Sequence, residues 1–66
     1  MITKDQEVLD VVEKHPTTQA VFEKYDQQAG ECICCNALFH TIEEVAAEYG
    51  FDLERLLEDI KNAAHG

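Results

Sequence analysis

The sequence predicts an all-α protein, a compact array of four to five short helices forming one small domain over residues 1–66. Three observations carry that prediction. Apolar residues recur at i, i+3 and i+4 in four separate stretches. Most of those stretches open on a residue able to cap a helix and close on a residue that stops one. No stretch alternates apolar and polar residues for long enough to read as a strand.

The first helix is expected over 4–14. Thr3, with Gln6 three residues on, has the spacing of a capping box, and Val8, Leu9, Val11 and Val12 supply the apolar stripe. Pro16 ends it, because a residue that precedes proline avoids the α region. His15 stands where an imidazole complements the negative end of that helix. A second helix is expected over 18–25, capped by Thr17 or Thr18, with Ala20, Val21, Phe22 and Tyr25 on its buried face. "DQQAG" then reads as a loop, in which Gly30 is free to take a positive φ. Cys35, Leu38 and Phe39 fall at i, i+3, i+4, which predicts a turn or two of helix after Cys32.

Thr41 and Glu44 form a second capping box, opening a helix over 42–49 that Gly50 terminates. Asp52 caps the last helix, 53–63, and Phe51 and Leu56 have the spacing of a hydrophobic staple. Leu53, Leu56, Leu57 and Ile60 line one face of it, and Arg55 with Asp59 is an i,i+4 ion pair. His65 is expected to lie in a frayed terminus. The predicted core is Val8, Val12, Phe22, Leu38, Val45, Leu53, Leu56, Leu57 and Ile60.

Charge excludes some functions. Fourteen acidic residues against 5 basic give a formal net charge of -9. A field of that sign disfavours nucleic acid and anionic membrane as partners. No stretch approaches the roughly 18 apolar residues that span a membrane, and the N-terminal ten have no apolar signal region. The expected location is the cytoplasm, where clustered cysteines point to redox or metal work rather than to structural disulfides.

All three cysteines lie within "GECICCNALFH", Gly30 to His40. Cys32 and Cys35 make a C-x-x-C, and positions i and i+3 of a helical turn share a face. Their sulfurs can therefore meet in a disulfide or on one metal. A helix N-terminus at Cys32 would favour its thiolate, the reactive form. The flanking charge opposes this: no lysine or arginine lies between Lys24 and Arg55, Glu31 precedes Cys32, and only His40, folded back, could bring a positive charge. Cys34 points about 100° away from Cys35. A bond between these two neighbours would close a strained ring, so Cys34 is expected in the core or against a partner chain.

Zinc needs four ligands. One C-x-x-C with His15, His40 and His65 at their spacings does not make a closed site, but a homodimer doubling Cys32 and Cys35 would supply four thiolates for zinc or an iron–sulfur cluster.

From Ile2 to Ile60 the chain resembles the hybrid-cluster-protein-associated redox-disulfide domain family. The resemblance rests on Thr3, Asp5, Pro16, Val21-Phe22, Gly30, Cys32, Cys35, Thr41, Glu44, Gly50 and the final leucines. It is also distantly similar to the N-terminal domain of iron–sulfur-cluster repair proteins, which carries adjacent cysteines after a similar Val-Phe helix. Cys34 stands where the redox-disulfide family usually has glycine, a departure toward the repair-protein pattern. The resemblance implies a compact helical domain with a redox-active C-x-x-C and an association with anaerobic or nitrosative-stress metabolism.

The expected function is therefore thiol–disulfide exchange with a protein partner, a hybrid-cluster or iron–sulfur protein, without a bound cofactor. Cys32 is expected to be the exposed, attacking thiol and Cys35 the resolving one. The rival readings are a metal or iron–sulfur module built from the same cysteines across a dimer, and an interaction domain whose cysteines only pack.

Overall fold

A computed structural model describes residues 2–65. Helix α1 spans Val8–Lys14, a 3-10 turn Pro16–Thr18, α2 Gln19–Ala29, α3 Ile33–Asn36, α4 Ile42–Tyr49 and α5 Leu53–His65. The all-α expectation of four to five helices holds: among the described residues the only extended pairing is an isolated antiparallel bridge between Glu7 and Thr41.

That bridge explains why α1 begins four residues later than expected. A helix from Lys4 would send the carbonyls of Lys4 and Gln6 up its own axis. Instead they accept the amides of Glu43 at 3.1 Å and Ile42 at 3.0 Å, the first of α4. In return the opening amides of α1, Val8 and Leu9, donate to the carbonyls of His40 and Leu38, each at 2.9 Å. Helix N-termini leave such amides without partners, and here a distant segment supplies them. Glu7 is held extended, and no side chain caps α1. Gln6 does reach back to the Thr3 amide, at 3.0 Å, but it closes a turn and not a helix.

Helix α2 runs four residues past its expected end. Gln27, Gln28 and Ala29 are adequate helix formers. The stop is Gly30, left-handed at φ 76° with its amide on the Asp26 carbonyl. Thr18 holds the N-cap position of α2, but neither threonine caps it through its side chain. The Thr18 hydroxyl, fully buried, donates to the His15 carbonyl at 2.6 Å, and that of Thr17 to the Ala63 carbonyl of α5 at 2.7 Å. The α4 capping box forms in both directions, Thr41 amide to Glu44 carboxylate at 2.8 Å and Glu44 amide to Thr41 hydroxyl at 3.1 Å. Gly50 then takes the left-handed C-cap, and Asp52 accepts the Arg55 amide at 3.2 Å. Arg55 and Asp59 pair at 3.9 Å. His65 is the last residue of α5 and not part of a frayed end.

Val8, Phe22, Val45, Leu56 and Ile60 are fully buried, as expected. Val12, Leu38, Leu53 and Leu57 only flank the core. Ile2, Val11, Tyr25, Ile33, Ala37, Ile42 and Ala46 complete it. The shift from Val12 to Val11 and the burial of Ile33 each have a tertiary cause: α1 is anchored by the 38–40 segment, and α3 lies against α2. Phe39 is not on a helical face with Cys35. With α3 ending at Asn36, it stands 69% exposed.

Candidate functional site

The cysteines sit on a single helical turn, Ile33–Asn36, three of whose orphan amides have acceptors. Cys32 is its N-cap, in extended backbone, and the Cys32 sulfur accepts the Cys35 amide at 3.1 Å. The Cys32 carbonyl accepts the Asn36 amide at 3.0 Å and the Asn36 side-chain nitrogen at 3.1 Å. The Ile33 amide donates to the Asp26 carboxylate of α2 at 2.9 Å. Ile33 points into the core with no exposure and pins the turn from below. So the C-x-x-C is raised on a rigid mount: a buried isoleucine beneath, a carboxylate at its start, and Gly30 turning the chain into it.

Cys32 and Cys35 form a disulfide, with Cα atoms 5.2 Å apart, inside the usual range for such a bridge. The two partners are not equivalent. Cys35 is exposed and Cys32 half-buried, the reverse of the expected order. The reason lies in the turn itself: position 32 is its N-cap, next to buried Ile33, whereas position 35 is exposed. Cys34 is free and half-buried against the core, as a small apolar residue would be. Burial, assisted by the carboxylates of Asp26 and Glu23, raises its pKa, so it stays a thiol at neutral pH.

The ionisable residues flanking the turn are engaged elsewhere. His40, the one candidate cation, places Nδ1 3.3 Å from the Glu48 carboxylate of α4. Glu31, beside Cys32, accepts a hydrogen bond from the Tyr49 hydroxyl. That bond, with desolvation and the charge itself, pushes the Tyr49 pKa up to about 12. Tyr49 stacks on Phe51 with ring centroids 5.7 Å apart, and Tyr25 meets Phe51 edge-on at 4.9 Å. Tyr25 in turn donates to Asp59 of α5 at 2.5 Å. An aromatic row thus joins the approach to the cysteine turn with α5. Among the described residues no group of three or more His, Cys, Asp and Glu side chains converges as metal ligands. His15 is the C-cap of α1.

Sequence reasoning found the pair and the turn but missed two supports, Asp26 and the Glu31–Tyr49 contact. Asp26 lies seven residues before the amide it caps, outside any local capping pattern. Its one signal was a helix-compatible "YDQQA" leading into a glycine.

No family model, curated protein or solved structure matches the chain.

Proposed function

We propose that this protein is a redox domain whose Cys32 and Cys35 cycle between disulfide and dithiol by exchange with a protein partner. One observation carries the reading: the two sulfurs are bonded on a turn in which Cys35 is an exposed residue and Cys32 a half-buried one. In one cycle the disulfide takes up two electrons and two protons, while two partner thiols become a disulfide. No cofactor is needed. The resemblance to the redox-disulfide domain family supports the same pair and favours a hybrid-cluster or other iron–sulfur protein as the partner, met in the cytoplasm. The acidic surroundings lend themselves to a partner with a basic face, because opposite fields speed encounter.

The test is a preparation made without oxygen. Thiol counting should find three free thiols after reduction and one after mild oxidation, and the Cys34→Ala variant should still form the bond. Titration against a thiol redox buffer should give one reversible two-electron transition that Cys32→Ser abolishes. A bond that resists reduction in the folded state would make it structural. Stoichiometric zinc or iron, lost in Cys32→Ser, would replace the redox reading with a metal site shared across a dimer.

A further inference from the structure

We propose that exchange at this site has a fixed polarity: Cys35 is the sulfur that is attacked and that carries the mixed disulfide, and Cys32 is the leaving and resolving sulfur. This rests on the redox reading above and adds to it a role for each cysteine.

Two independent observations agree. The first is access. An incoming thiolate must approach along the sulfur–sulfur axis from the side opposite the leaving sulfur. Cys35 belongs to the exposed residues, whereas Cys32 is half-buried where the turn joins α2. The second is the fate of the sulfur that departs. A thiolate leaves more readily when it is stabilised as an anion, and amide donors are the kind of group that does this. The Cys35 amide already donates to the Cys32 sulfur at 3.1 Å. No hydrogen bond to the Cys35 sulfur is found among the described residues.

The steps balance. A partner thiolate, R–S⁻, forms a bond to the Cys35 sulfur as the bond to Cys32 breaks, and Cys32 leaves as a thiolate held by the Cys35 amide. A second partner thiolate then attacks the partner sulfur of the mixed disulfide. It releases Cys35, and R–S–S–R carries away the oxidising equivalents. Both protein thiolates take protons from solvent. In reverse, the Cys35 thiolate opens a partner disulfide, and Cys32 attacks the Cys35 sulfur to expel the bound thiol. The mount favours this resolving step: with the Cα atoms 5.2 Å apart, Cys32 reaches Cys35 without backbone movement.

The experiment uses the oxidised chain carrying Cys34→Ala, so that the third thiol cannot intervene, with glutathione as the probe. A short pulse of reduced glutathione is quenched in acid, and fragmentation mass spectrometry locates the adduct. The expected result is glutathione on Cys35 over Cys32 by at least about tenfold. In the reduced single-thiol variants, oxidised glutathione should give a persistent adduct with Cys32→Ser and react more slowly with Cys35→Ser. Adducts mainly on Cys32, or shared evenly, would overturn the polarity and leave the redox reading standing. A disulfide giving no adduct on either sulfur, even in excess glutathione, would overturn both.

Discussion

Reducing the Cys32–Cys35 bond should leave the domain folded. The magnitude follows from the loop the bond closes. A disulfide stabilises chiefly by restricting the unfolded chain, and the effect grows with the logarithm of loop length. Here the sequence separation is 3. A loop of that size corresponds to about 6 cal/mol/K, or about 2 kcal/mol at room temperature. A domain of this length has in total roughly 3–10 kcal/mol. The dithiol also keeps the features that shape the turn: the Asp26 carboxylate on the Ile33 amide, buried Ile33, and the Cys35 amide on the Cys32 sulfur. Urea unfolding followed by circular dichroism, on the oxidised chain, the reduced chain and the Cys32→Ser/Cys35→Ser double variant, measures the difference. It should be about 2 kcal/mol or less, with helical signal retained in all three at zero urea. A reduced chain that has lost its helices, or a difference above about 4 kcal/mol, would refute the reasoning and make the bond a staple that the fold cannot release.

Leu56→Ala should cost about 2–5 kcal/mol, because Leu56 is fully buried where α5 meets the core. Phe39→Ala, at an exposed position, should stay within about 0.5 kcal/mol, and thermal unfolding separates the two. Absorbance titration of the two tyrosines should show phenolate appearing near pH 12 in the folded chain, for Tyr25 through burial and its hydrogen bond to Asp59, and for Tyr49 through Glu31. These folded values lie above the ordinary value of about 10. The stabilisation is therefore fully present below pH 10 and lost as pH rises toward 12. Thr41→Ala should cost about 1 kcal/mol as a lost cap. Hydrogen bonds from the Thr41 amide and hydroxyl hold the Glu44 carboxyl below its usual range. The help it gives is thus present at neutral pH, and the gap between wild type and Glu44→Gln should close as acid protonates it.

The legible parts of the fold were those written in short-range chemistry. Thr41 with Glu44, Gly50, and Asp52 ahead of a leucine face each specify a helix end from within four residues, and each stands where expected. The C-x-x-C on a turn opening at Cys32 was legible for the same reason. What failed was set by distant groups. Nothing near Thr3 announces that the carbonyls of Lys4 and Gln6 serve the amides of residues 42 and 43, so a sound local signature gave a helix begun too early. Ile33 sits between two cysteines, where periodicity over four residues cannot tell inside from outside. With Ile33 buried, Cys35 is exposed and Cys32 half-buried, the reverse of the order the sequence leads one to expect.

The borrowed start of α1 bears on how the protein is made. Seven residues with no side-chain cap are far below the ~12–15 that sustain an isolated helix. The carbonyls that complete α1 belong to Leu38 and His40, synthesised about thirty residues later, and closing that span has its own entropic cost. Until His40 has left the exit tunnel, the opening amides of α1 lack the carbonyls that complete them. By then the three cysteines, which precede His40, have emerged as well. The burial of Ile33, with Cys32 at the N-cap of its turn, then sets which two cysteines can meet each time the bond re-forms.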